Sequence, residues 1–227
     1  MNIEVIFESQ NFIIINKPSG LVVHPFDYST EYTLVDFLRE KYPEIFAIEN
    51  NVTLQDKRTI ALGGIVHKLD RDTSGIMVIA KNKETFDVLK SQFRNHTTKK
   101  TYVALVEGII EKSAFTIDAP LGRSKKDYKQ TTNPENPRGG MRDAVTDVQV
   151  VHRNDTATLV KLLPQTGRTH QLRAHMSSIS HPIVGDKAYG STIESQRIML
   201  HAESLEFEVG GEKFEFKVGI PDIFLNS

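Results

Sequence analysis

Short apolar runs separated by polar turns make up most of this chain. "IEVIFES" and "NFIIINKPSGLVVHP" are rich in Ile, Val and Phe and predict strands. The second is broken at "NKPSG", where Pro18 and Gly20 supply turn geometry. Leu34, Phe37 and Leu38 recur at helical spacing in "TLVDFLREKYP", with Thr33 as N-cap and Pro43 as a stop. Residues 46–64 are polar without a clear period and predict a loop. "GIMVIAK" predicts a buried strand. "NKETFDVLKSQFRNH" predicts an amphipathic helix, with Phe86, Leu89 and Phe93 inward and Asp87, Lys90 and Arg94 outward. "KKTYVALVEG" alternates like a strand, and "FTIDAPLG" gives a short strand with a turn. "RSKKDYKQTTNPENPRGGMRD" is polar, carries Pro and Gly, and predicts a mobile loop. "AVTDVQVVHR" and "TATLVKLLP" predict an antiparallel pair across "NDT". "THQLRAHMSSI" predicts a helix, and "MLHAESLEFEVGGEKFEFKVG" a strand and a hairpin through Gly210-Gly211.

Strands outnumber helices and often follow one another directly. That predicts an α+β fold with a mixed, largely antiparallel central sheet flanked by helices. The 227 residues suffice for one domain spanning 1–227, or for two lobes about a central cleft. With 39% apolar and 25% charged residues the chain reads as a folded protein. It has no cysteine, which excludes disulfides, thiolate metal sites and thiol catalysis. No apolar run is long enough to predict a membrane span, and the N-terminus lacks a signal-peptide pattern, so a cytoplasmic location is expected.

Charge changes the picture further. Residues 61–175 hold nineteen Lys and Arg against twelve Asp and Glu, while residues 1–60 hold five against nine and residues 176–227 four against eight. A polyanionic partner would meet the basic middle. Within it lies "HKLDRDTSG", immediately before the buried strand. Two readings of Asp70 stand: a turn-capping carboxylate, or a nucleophile or base held rigidly. Asp70, Asp72 and Ser74 also loosely imitate the opening of magnesium-dependent haloacid-dehalogenase-type phosphohydrolases. There, however, the acids follow a strand; here they precede one. In "LLPQTGRTHQLRAHM", Gly167, Arg168, Thr169 and His170 open a helix that could attract an anion, or that is simply capped by Thr169. His170, His175 and His181 have no companion carboxylate at metal-ligand spacing, so no metal is expected. Tyr102 alone reads as a strand residue at the core's edge.

Taken in order, "NKPSGLVVHP", "HKLDRDTSGIMVIAK", "KTYVALVEG", "GRTHQLRAHM" and "HPIVGDKAYG" resemble the RluA family of pseudouridine synthases, from about residue 11 to residue 205. The resemblance is to a bare catalytic domain, without the separate N-terminal RNA-binding domain of some members. It implies catalytic roles for Asp70 (motif H-R-L-D), Tyr102 (K-x-Y-x-A) and Arg173 (Q-L-R-x-H). It implies RNA contacts by Lys68, Arg71, Lys100, Arg168 and His170. Where the family commonly has Arg, this chain has Lys68, which keeps the charge and loses the stacking plane.

The reaction implied breaks the C1′–N1 bond of a uridine in ribosomal or transfer RNA, turns the base and rejoins it through C5, with no cofactor. The nucleotide must first be flipped out, at a cost of a few kcal/mol. Asp70 could attack C1′, attack uracil C6 or abstract a ribose proton. Arg173 is expected to brace it, and Tyr102 to stack on the base and assist C5 deprotonation. A monomer is expected. The other functions considered are an RNA-binding module without catalysis and the phosphohydrolase.

Overall fold

The apolar runs become the strands of two compact units, residues 1–98 with 205–218, and residues 99–204 with 219–227. This computed structural model describes residues 3–26, 30–126, 128–135 and 137–224.

In the first unit, β1 (Glu4–Glu8) and β2 (Phe12–Lys17) form an antiparallel pair, followed by helix α1 (Leu34–Lys41). Thr33 caps α1 as expected: its hydroxyl accepts from the Asp36 N–H, and the Asp36 carboxylate accepts from the Thr33 N–H. Pro43 ends that helix and starts a 3₁₀ turn, Pro43–Ala47. The predicted loop over 46–64 is corrected by the hairpin β3 (Asn51–Thr53) and β4 (Thr59–Ala61). Strands of three residues are too short to print a period. Next, β5 (Ser74–Ala80) is buried along its whole length, and α2 (Lys83–Asn95) buries Phe86 and Leu89. Phe93 is half-buried and lies on His67 instead.

The second unit opens with β6 (Lys99–Glu107), β7 (Ala114–Asp118) and β8 (Leu121–Ser124). β6 departs from simple alternation, because Val103 to Val106 are all buried on both faces. Two short strands follow, β9 (Gln130–Thr131) and β10 (Pro137–Arg142), which pair with β8 in the order β10-β8-β9. They replace much of the predicted mobile loop. β10 is mostly exposed, so no apolar alternation announced it. β11 (Val145–Arg153) and β12 (Ala157–Pro164) pair antiparallel as predicted, and helix α3 covers Gln171–Ser178. The last strands are β13 (Leu200–Val209), which passes from the second unit into the first at Leu205, and β14 (Glu212–Lys217).

The first unit's sheet runs β1-β2-β5-β13, with β14 on β13; the second unit's runs β13-β6-β12-β11-β7. The β1–β2, β2–β5, β6–β12, β11–β12 and β7–β11 pairs are antiparallel, and the fold is α+β. The second unit's core joins Val103, Leu105, Val160, Leu162, Met176 and Ile183. Fully burying side chains of this size stabilises by roughly 1.5–3 kcal/mol each.

Candidate active site

The segment leading to Asp70 is laid against β5 before it turns away. The Ala80 N–H donates to Gly64 O at 2.9 Å, and Ile65 bridges Ile79. Only glycine permits this approach, since a Cβ on residue 64 would lie 1.8 Å from the Ala80 carbonyl oxygen. His67 then substitutes for a backbone acceptor: its Nε2 takes the Val78 N–H at 3.1 Å, while its ring stacks on Phe93 at 4.2 Å. That bond places the ring proton on Nδ1 of a neutral His67. Leu69 is buried, Asp70 is half-buried, and Lys68 and Arg71 are exposed.

A second anchor comes from β2. Lys17 ends that strand and is fully buried. Its ammonium donates to three carbonyls, Pro18 O at 2.9 Å, Leu21 O at 2.8 Å and Arg71 O at 2.9 Å. Three donors thus meet three acceptors. Gly20 N–H also reaches Arg71 O, and the Ser19 hydroxyl reaches Asp72 O at 2.7 Å. The NKPSG turn therefore grips the backbone on the C-terminal side of Asp70. Thr73 N–H closes the turn on Asp70 O at 3.2 Å. The Arg71 side chain leaves toward Glu31, at 3.2 Å. Because β5 starts at Ser74, the acids precede their strand, opposite to the phosphohydrolase order.

The remaining predicted residues lie in the second unit. Tyr102 is half-buried on β6, opposite Leu162 of β12, and packs on the core. Lys100 stands two residues earlier on the same face of β6. It is half-buried, and that burial pushes its pKa below the usual lysine value. Its ammonium lies beside Gly167, where an added Cβ would stand 3.9 Å from Nζ.

Helix α3 begins at Gln171 with His170 as N-cap in the left-handed region, at φ 52°, so Thr169 is not the cap. The Gln171 side chain ties the loop before the helix to β11. Its Oε1 accepts from Arg168 N–H at 3.0 Å and from the Thr166 hydroxyl at 2.7 Å; its Nε2 donates to Val145 O and Thr146 Oγ1, each at 3.0 Å. One turn later, His175 is fully buried between Ala119 O and Thr146 Oγ1, each at 2.9 Å. A carbonyl can only accept, so Nε2 carries the proton. Burial holds His175 below its ordinary pKa.

Arg173 departs from the helix on another side. Its Nε and Nη2 donate to the Asp186 carboxylate at 2.6 and 2.9 Å, with both side chains buried. Its guanidinium also lies over the Tyr189 ring, 4.8 Å from the centroid. Gly185 places Asp186: its φ is +80°, and a Cβ there would lie 2.3 Å from Arg197 O. Tyr189 Oη accepts from Gln130 N–H at 2.8 Å and meets His170 Nδ1 at 3.0 Å. Arg168 Nε donates to Asp143 O at 3.1 Å.

The sequence signature described as RNA pseudouridylate synthase matches residues 11–178. The chain belongs to this family. An uncharacterized RNA pseudouridine synthase, YlyB, of Bacillus subtilis is 38% identical over 98% of the chain and 70% of its own length. The ribosomal large subunit pseudouridine synthase D of Borreliella burgdorferi is 35% identical over 94% of the chain, which spans only 63% of that protein. Among solved structures, human RNA pseudouridylate synthase domain containing 1 superposes with a TM-score of 0.78 at 28% identity, covering 97% of this chain and 84% of that one. The protein is thus an RNA pseudouridine synthase, an isomerase whose substrate is RNA.

Within the synthase, Lys68, Asp70 and Arg71 share one loop of the first unit. Lys100, Tyr102, Arg168, His170 and Arg173 belong to the second. Sequence reasoning gave no role to Lys17, Asp186, Gln171 or Tyr189. Lys17 carried a signal, as a charged residue ending a predicted strand directly before Pro18. Asp186 carried one as well, following a glycine in "VGDKAYG".

Proposed function

We propose that this synthase isomerises a specific uridine of ribosomal or transfer RNA, with Asp70, Tyr102 and Arg173 carrying the chemistry. The observation that supports Asp70 most is the gripped backbone around it. Lys17, Ser19 and Gly20 fix the carbonyls that follow it, and His67 fixes the segment that precedes it. A group that attacks a flipped nucleotide must be held within a fraction of an ångström of its productive position. A residue that only capped a turn would not need that support.

Asp70 acts on the flipped uridine as nucleophile or base, and Tyr102 offers a ring for stacking and a hydroxyl for proton transfer at C5. Arg173 supplies a cation whose direction is fixed by Asp186. Lys68, Arg71, Lys100, Arg168 and His170 engage the RNA, chiefly through its phosphates. The reaction needs no redox partner and transfers in no outside group. We favour ribosomal RNA, in keeping with the name of the Borreliella relative, and a monomer acting in the cytoplasm. Among the described residues, no helix is long and apolar enough to cross a membrane.

Mapping pseudouridines in RNA from cells with and without the gene tests this. One site should vanish on deletion, return with the wild-type chain and stay absent with Asp70→Ala. Restoration by Asp70→Ala, or no change on deletion, would refute the assignment.

A further inference from the structure

Glu107 closes β6 and holds the stretch that carries Asp186 at both of its ends. Before Asp186, the Glu107 N–H donates to Pro182 O at 2.9 Å, and the Glu107 carbonyl accepts from His181 Nδ1 at 2.7 Å. After Asp186, the carboxylate takes over. Its Oε1 accepts from the Ser191 hydroxyl at 2.5 Å, from Thr192 N–H at 2.6 Å and from Ile193 N–H at 2.7 Å. Its Oε2 accepts from the Thr192 hydroxyl at 3.0 Å. Each polar atom of Glu107 thus bonds to residues 181–193. Burial pushes the Glu107 pKa up, but the bonds from Ile193, Ser191 and Thr192 outweigh it and hold the carboxyl below the usual carboxylate range.

Ser191 relays this grip to Asp186. Its hydroxyl proton goes to the closer, charged Oε1 of Glu107 and not to Ile193 O at 3.2 Å. The same Oγ accepts from Gly185 N–H at 2.9 Å, and Ser191 N–H donates to Asp186 O at 3.1 Å. Asp186 in turn receives both donors of Arg173. The stretch has apolar anchors of its own: Ile183 and Val184 are buried in the core, and Val184 N–H donates to Leu105 O at 2.9 Å. Docking on β6 therefore does not require an acid at position 107. What the carboxylate adds is a fixed path for the backbone on either side of Asp186.

We propose that Glu107 is a positioning residue for the isomerisation, setting the Gly185–Asp186 backbone through Ser191 and thereby aiming the Arg173 guanidinium. The inference rests on the reading that Arg173 carries part of the chemistry, and extends it by one further link. A cation displaced by about 1 Å from its productive position can cost a hundredfold in rate.

The test follows tritium release from a 5-tritiated uridine transcript by the full chain. Urea unfolding of each variant runs alongside, so that rates are compared for folded protein. Glu107→Ala should lower kcat about 10- to 100-fold and leave KM within about twofold. Glu107→Gln keeps the Oε1 acceptor, and the Thr192 hydroxyl can turn to accept from its amide, so kcat should return to within about threefold of the wild type. Ser191→Ala removes only the relay and should lower kcat about threefold or more at unchanged KM. In an Asp186→Asn background, Glu107→Ala should cost little further, because both changes act through one guanidinium. Wild-type kcat in Glu107→Ala or in Ser191→Ala, or a double variant whose losses multiply, overturns the inference. Arg173→Ala separates it from the reading beneath. A wild-type rate there would sink the role of Arg173 itself, whereas a slow Arg173→Ala beside a normal Glu107→Ala sinks the positioning role alone.

Discussion

Arg173 and Asp186 meet through two charge-assisted hydrogen bonds of 2.6 and 2.9 Å, in a setting where neither side chain sees much water. Removing one partner of a buried pair strands the other, at a cost of about 3–5 kcal/mol. Asp186→Asn keeps the shape and loses the charge. It should lower unfolding stability in urea by that amount and reduce kcat more than it raises KM. Wild-type stability in Asp186→Asn would show that the pair contributes nothing net.

Lys17 makes a comparable prediction for the loop of Asp70. Lys17→Met fills the space but takes the ammonium from Pro18 O and Leu21 O and leaves Arg71 O with the Gly20 N–H alone. Each unsatisfied buried group costs about 1–3 kcal/mol. The variant should lose roughly 2 kcal/mol or more in urea unfolding, and kcat should fall further than stability alone explains. A variant with normal kcat would show that the grip on Arg71 O does not position Asp70.

Much of this architecture was legible in the residues, and the failures have physical causes. The FIIIN, GIMVIA and TLVDFL segments declared themselves because one or both of their faces are buried, and burial is what selects apolar side chains. β3, β4, β9 and β10 were read as loop because short, exposed strands are held by backbone bonds that any side chain allows. The family motifs pointed to Asp70, Tyr102 and Arg173. The groups that orient them were harder to see. Lys17 works through its neighbours' carbonyls, and Asp186 pairs with a residue thirteen positions away. Neither link has a local sequence period.

Lys100 carries a pH signature. Burial lowers its pKa, so its ammonium is lost at lower pH than an exposed lysine's. RNA affinity should therefore fall as pH rises into the alkaline range, and Lys100→Arg should flatten that fall because arginine stays charged. Identical pH profiles for the two proteins would remove Lys100 from the RNA contact.

His201 sets an acid limit on stability. Burial, aided by the Arg197 charge and opposed by a bond to Gly219 backbone, lowers its pKa to about 4 from an ordinary 6.5. The unfolded chain takes up this proton near pH 6.5 and the folded chain only near 4. Stability is therefore full above 6.5 and falls as pH drops through that window, by about 2–3 kcal/mol at pH ~4.5. His175 adds in the same direction. His201→Leu should show a smaller loss between pH 7 and ~4.5 in urea titrations. An unchanged loss would assign the acid sensitivity to other groups.

The central assignment is the carboxylate of Asp70, and the most direct test is tritium release from 5-tritiated uridine RNA by purified protein in the presence of EDTA. The wild type should release tritium, and Asp70→Asn, which keeps the size but not the charge, should be slower by about 10⁴ or more while still binding RNA. Release by Asp70→Asn at a rate near that of the wild type would contradict the account.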